Sequence, residues 1–202
     1  MSTIAIDIDD VLAANAEGFI AYSNQQWGTK LTVNDYDEHW LAMWNVDQAE
    51  LERRGELLHT SGMMAEYRHD DQALPVLQRL RQNFRLIIVT SRRRLIEQLT
   101  RAWIDTHYPN IFEEIVFAGI YDDRSRSDLF ARSKSDVFAA YEVDFVIDDQ
   151  LKHCLGAAEL GIEALLFGDY RWNQSVDHLP DTIHRVHDWA AVEKYFDERK
   201  TR

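Results

Sequence analysis

Three apolar runs in this chain of 202 residues end abruptly in polar groups of complementary chemistry. Ile4-Ala5-Ile6 gives way to Asp7-Ile8-Asp9-Asp10, Leu86-Ile87-Ile88-Val89 to Thr90-Ser91-Arg92, and Phe145-Val146-Ile147 to Asp148-Asp149. Lys134 stands at the start of a predicted helix just before the last of these. Carboxylates crowded at the end of a buried strand repel one another unless a cation or a proton relieves them. A magnesium ion prefers oxygen ligands, and Asp7 with one of Asp148 and Asp149 can supply them. Phosphoryl transfer needs that cation, a nucleophile in line with the leaving oxygen, and charge stabilisation on the phosphoryl oxygens. A carboxylate nucleophile splits one hard hydrolysis into two displacements through an aspartyl-phosphate. A second acid two residues further on lies on the same side of an extended chain, where it can protonate the leaving alkoxide and then activate water. The Thr90 hydroxyl and the Lys134 ammonium are suited to hold phosphoryl oxygens.

These groups meet only if the strands that carry them are parallel neighbours, because parallel strands present their carboxyl ends at one edge of a sheet. The sequence supports that arrangement. After the first strand, Leu12, Ala16, Phe19, Ile20 and Trp27 recur at helical spacing, with Gly28 placed as a C-cap. Strand patterns at 85–92, 115–118, 145–149 and 164–167 then alternate with helical stripes, the last helix running through Trp189 and Phe196. That alternation predicts a parallel three-layer α/β sheet. The loop from Tyr121 to Arg132 is charged and poor in core residues. Residues 29–72 break the pattern, being polar and rich in aromatics, with Asp47-Gln48-Ala49-Glu50 reading as a capping box that opens a helix through Leu57 and Leu58; together with the preceding helix they make up residues 14–72. They are expected to form a small helical cap, leaving 1–13 and 73–202 as the core domain.

Bulk properties narrow the partners. A formal net charge of −13 disfavours a nucleic-acid polymer or an anionic membrane as ligand. A small anionic substrate remains compatible where a metal and a few basic residues make the site locally positive. One cysteine, Cys154, excludes an internal disulfide and a thiolate zinc cluster. With no signal-like start and no apolar run long enough to span a bilayer, the expected location is the cytoplasm. Oligomeric state is not legible, and a homodimer is allowed.

Asp7-Ile8-Asp9-Asp10-Val11-Leu12, Thr90, Lys134 and Val146-Ile147-Asp148-Asp149 stand in the order and strand context of the four motifs of the haloacid dehalogenase superfamily. The stretches Leu165-Leu166-Phe167, Tyr170-Arg171-Trp172-Asn173 and Arg185-Val186-His187-Asp188-Trp189 resemble its deoxyribonucleotidase branch, the cytosolic 5′-nucleotidases of type C. The superfamily resemblance implies a Rossmann-like α/β/α core with strand order 5-4-1-2-3 and the cap inserted after strand 1. It implies Asp7 as nucleophile, and Asp9 as general acid/base that also offers its backbone carbonyl to Mg2+. Thr90 would bind the phosphoryl group and Lys134 would neutralise the nucleophile. Asp149 is the favoured direct metal ligand, with Asp148 in support. Asp10 departs from the superfamily, which commonly has glycine there. The branch implies a phosphomonoesterase for (deoxy)nucleoside 5′-monophosphates.

Each signal also has a plainer reading. Acids at a strand end often cap the next helix, and Asp9 or Asp10 could do that. Trp40 and Trp44, together with Ser91 and Arg92, are the candidate substrate contacts. Aromatic residues of the cap could instead be its own core, the preferred reading for Phe19 and Trp27. His39, His59, His69 and His153 show no ligand spacing. Trp172 and Asn173 either line the site mouth or anchor their loop. A phosphatase for a sugar or amino-acid phosphate shares the chemistry, since the cap selects the leaving group. A receiver-type signalling module would need its acid after the third strand, where Ile115 to Gly119 has none. An inactive binding protein would have no use for the intact set of Asp7, Asp9, Thr90 and Lys134.

Overall fold

The computed structural model describes residues 1–119, 133–174 and 178–200, so the loop expected from Tyr121 to Arg132 lies outside the described residues. In chain order the regular elements are β1 (Thr3–Ile6), α1 (Asn15–Trp27), α2 (Trp40–Trp44), α3 (Gln48–Thr60), α4 (Ala73–Leu80), β2 (Arg85–Thr90), α5 (Glu97–His107), β3 (Glu114–Phe117), α6 (Lys134–Ala140), β4 (Phe145–Asp148), α7 (Leu151–Glu159), β5 (Glu163–Phe167), β6 (Ile183–Val186) and α8 (Trp189–Lys200). The strands form one sheet of order β3-β2-β1-β4-β5-β6, every pairing parallel. The expected order of five strands is thus present and extended by a sixth at one edge. Ile183-His184-Arg185-Val186 has too few consecutive apolar residues to read as a buried strand, since only Ile183 and Val186 are buried.

Two cores lie on the two faces of the sheet, and alternation along each strand assigns the residues. Ile4, Ile6, Leu86, Ile88, Ile147 and Leu165 face α4, α5 and α8 through Leu77, Trp103, Trp189 and Phe196. Ala5, Ile87, Val89, Val146 and Ala164 face α6 and α7 through Val137, Phe138, Cys154 and Ala157. β1 is central and wholly buried. It is shorter than its apolar run suggests: residues 7–12 leave the ladder after the Asp7 N–H bonds Ile147 O at 3.0 Å, and fold into a loop.

Several caps follow their sequence signals. Gly28 takes the left-handed conformation and donates to Asn24 O, the Asp47 side chain accepts from the Glu50 N–H, and Ser133 forms a reciprocal box with Asp136. Leu95 precedes α5 and is exposed, although its spacing from Leu99 and Trp103 is helical. The chain leaves the sheet region at Ala13 and Ala14 and returns at Arg68 to Asp70, where Ala14 N bonds Arg68 O at 2.8 Å and Asp70 N bonds Leu12 O at 2.9 Å. Phe19, Trp44 and Leu58 from the intervening segment belong to the same buried cluster as Ile4 and Ile6. Among the described residues no helix is long and apolar enough to cross a membrane.

Candidate active site

Asp7 follows β1 directly, Thr90 ends β2, Asp148 ends β4, and Lys134 opens α6. Adjacency of β2, β1 and β4 brings their ends together. Lys134 is 1 % exposed and lies between two carboxylates, 2.6 Å from Asp148 Oδ2 and 2.9 Å from Asp7 Oδ1. The Asp148 contact is a hydrogen bond; at Asp7 the Lys134 ammonium is the group in reach, and among the described residues no other donor meets the buried Asp7 Oδ1. Burial lifts the Asp7 carboxyl to about 7, with Asp148 and Asp9 adding to the effect and Lys134 opposing it. The same carboxylates more than offset the desolvation of Lys134 and hold its ammonium above the usual lysine range.

Asp7, Asp148 and Asp149 each offer one carboxylate oxygen, all within 4.8 Å of one another. The two acids of the pair differ. Asp148 has both oxygens engaged, Oδ1 by the Gln150 N–H at 2.9 Å and Oδ2 by Lys134. Asp149 accepts at Oδ2 from Trp172 Nε1 at 2.6 Å and Gln150 Nε2 at 2.9 Å, and among the described residues nothing donates to its Oδ1. Desolvation raises the Asp149 carboxyl well above its ordinary value, with Asp148 the next cause.

Asp9 turns the other way. Arg92, 5 % exposed, grips it from Nε at 3.1 Å and Nη2 at 2.7 Å. The expectation of Arg92 as a substrate contact is therefore modified: its guanidinium is engaged with Asp9, although it also borders the cavity. Thr90 is fully buried and its Oγ accepts from the Arg92 N–H at 3.1 Å, leaving its own proton to donate. Ser91 borders the cavity, and among the described residues its buried Oγ has no hydrogen-bond partner. Asp10, by contrast, is a turn residue. Its carboxylate accepts from the Ala16 N–H at 3.0 Å and Asn15 Nδ2 at 3.3 Å, capping α1 from the loop.

Above the acids opens a cavity of about 860 Å³, lined by Asp7, Asp9 and Asp149. Phe19, Tyr36, Trp40, Leu51 and His59 line it as well, Tyr36 close to the acids through Asn15. Trp40 thus lies where a substrate contact was expected, whereas Trp44 does not. Trp44 is buried behind Phe19 in a parallel stack at 5.4 Å, its Nε1 donating to Ser23 Oγ at 3.2 Å. Phe19, expected to be core alone, is both buried and exposed to the cavity on one edge. His153 borders the cavity too, and burial drives it to about 3, so it is neutral. Its place one turn into α7 after Asp149 was the available signal, although a lone histidine carries little weight without the fold.

A buried carboxylate beside a buried lysine, at the switch point of a parallel sheet, is the arrangement expected of the haloacid dehalogenase superfamily hydrolases. Solved structures agree in fold. A haloacid dehalogenase-like family hydrolase, SP0104 from Streptococcus pneumoniae, superposes with a TM-score of 0.71 at 16% identity, over 97% of this chain and 98% of that one. A D,D-heptose 1,7-bisphosphate phosphatase from B. bronchiseptica, complexed with magnesium and phosphate, gives 0.58 at 16% identity over 98% and 99%. Within the superfamily, residues 1–200 match the family described as 5′ nucleotidase, deoxy (pyrimidine), cytosolic type C, and the chain belongs to it. It is 24% identical to the Bacillus subtilis (strain 168) protein named "Putative nucleotidase YqfW", over 99% of this chain and 96% of that protein. The protein is a phosphatase of nucleotidase type.

Proposed function

We propose that the protein is a magnesium-dependent phosphomonoesterase that hydrolyses nucleoside or deoxynucleoside 5′-monophosphates through an aspartyl-phosphate on Asp7. The observation that carries this reading is the cavity itself, lined both by a lysine-backed carboxylate and by a group of aromatic rings. A phosphate at Asp7 leaves the remainder of a nucleotide facing Trp40 and Phe19, whose rings present a stacking surface.

The donor set fits a hard divalent cation. Among the described residues Lys134 is the one cation in ion-pair contact with the clustered Asp7, Asp148 and Asp149, and every donor is oxygen. Asp7 and Asp149 would hold the ion, helped by the Asp9 backbone carbonyl, with Asp148 fixed by Lys134 in a supporting place. Bound there, magnesium would neutralise charge on the phosphoryl oxygens.

The side chains supply the rest. An Asp7 oxygen attacks phosphorus, the bond to the leaving oxygen breaks, and the Asp9 carboxyl gives that oxygen its proton, releasing the nucleoside. Water then attacks the aspartyl-phosphate, its proton passes to Asp9, and phosphate leaves with Asp7 restored. Lys134 balances the charge on Asp7 throughout, while Thr90 and Ser91 donate to phosphoryl oxygens. Residues 14–72 act as a small cap that encloses the leaving group and excludes water.

Phosphate release should require Mg2+ and be faster with at least one nucleoside 5′-monophosphate than with a generic aryl phosphate. Asp7→Asn should abolish both activities. Turnover that survives this substitution overturns the mechanism. Sugar phosphates outpacing every nucleotide in a substrate panel would overturn the nucleotidase reading and leave the mechanism standing.

A further inference from the structure

Asp149 is held from outside its own strand. After β5 the chain turns at Gly168 and forms a short helical turn, Arg171–Asn173, that returns over the end of β4. From it the Trp172 indole N–H reaches Asp149 Oδ2 at 2.6 Å. An indole N–H only donates, so this bond holds one carboxylate oxygen and cannot reverse. The ring is fixed on two sides. Tyr170 stacks on it at 4.5 Å with planes 3° apart, and Tyr36 meets it edge-on at 5.2 Å. Tyr170 is itself anchored, its hydroxyl donating to Asp10 O at 2.9 Å. Asn173 Nδ2 completes the arrangement by donating to both Asp149 O and Phe167 O, at 3.1 and 2.9 Å.

We propose that Trp172 is the positioning residue of the cation site: its N–H occupies Oδ2 of Asp149, fixes the side-chain rotamer, and leaves Oδ1 directed to the ion. This rests on the magnesium reading above. A ligand carboxylate with one oxygen held loses less freedom on binding metal, which is why outer partners of metal ligands affect affinity. Trp172 touches neither substrate nor ion in this role; it acts through Asp149.

Trp172→Phe keeps an aromatic ring against Tyr170 and Tyr36 and deletes the donor. The full chain, stripped with a chelator and dialysed, is titrated with Mg2+ by calorimetry and by the metal-dependent rise in melting temperature, neither of which depends on turnover. The variant should bind Mg2+ about 10- to 100-fold more weakly than wild type. Tyr170→Leu, which removes the stacking partner and frees the indole, should weaken binding in the same direction and serves as the readout if Trp172→Phe does not fold. Affinity within twofold of wild type in the folded variants overturns the role of Trp172 while leaving the cation site intact. Absence of Mg2+ binding by the wild type overturns the site itself, and this proposal with it.

Discussion

At Asp10 the backbone adopts φ +58°, a region where a Cβ crowds the following carbonyl at a cost of roughly 1–2 kcal/mol. Glycine would avoid that cost but could not cap α1 through the Ala16 N–H, a bond in the class worth about 1 kcal/mol. An acid at this point therefore exchanges backbone ease for a helix start and leaves the chemistry to Asp7 and Asp9. Asp10→Gly should consequently change unfolding free energy little. Asp10→Ala, which keeps the unfavourable φ and loses the cap, should lower it by about 1–2 kcal/mol in urea denaturation. The plain reading of an acid after a strand, a helix cap, thus holds for one of three neighbouring aspartates. Nothing in their spacing distinguishes them, because the distinction arises in the turn that sends Asp7 toward Lys134 and Asp10 toward α1.

Among elements, the connection from β5 to β6 shows what patterning leaves hidden. Periodicity identifies β5 through Ala164-Leu165-Leu166-Phe167, yet the sequence leaves Trp172 and Asn173 open between lining the site mouth and anchoring their loop, since their contacts depend on β4 ending beside them. Gly168 takes φ +79°, and a Cβ built there would overlap the Tyr170 ring. Gly168→Ala should therefore displace the Tyr170 and Trp172 stack and destabilise the fold by about 1–3 kcal/mol, read as a lower midpoint in denaturant at unchanged slope. The same limit explains Trp44. One helical turn from Trp40, it shares the pattern of a cavity residue, but α2 turns it inward to Phe19 and Ser23. Arg92 reads in sequence as a candidate substrate contact, and only the β1–β2 pairing shows Asp9 within its reach.

For the whole molecule, the three polar strand ends were legible because burial on both faces leaves an unmistakable apolar run before each polar stop, whereas the strand order came from the family resemblance. β6, the cavity wall and the handling of each acid were not, being set by contacts between distant segments. One property follows from the assembled site. Asp7 and Asp10 both titrate near 7 when folded, against 3.8 as the ordinary aspartate value. Between those limits the folded state binds more protons than the unfolded one, so metal-free protein should lose stability as pH rises from about 4 to about 7. Thermal unfolding in chelator across that range should show a falling midpoint, and added Mg2+ should recover most at the alkaline end, where protons no longer compete for Asp7. The tryptophans add a consequence of another kind. Trp44, Trp103 and Trp189 are sealed in the interior, whereas Trp40 faces the cavity and Trp172 is bonded to Asp149. Trp27 is partly buried against Trp44, so on the proposed reading Trp40 and Trp172 are the native fluorophores beside the leaving group and the cation, and filling either place should alter emitted light without any attached label.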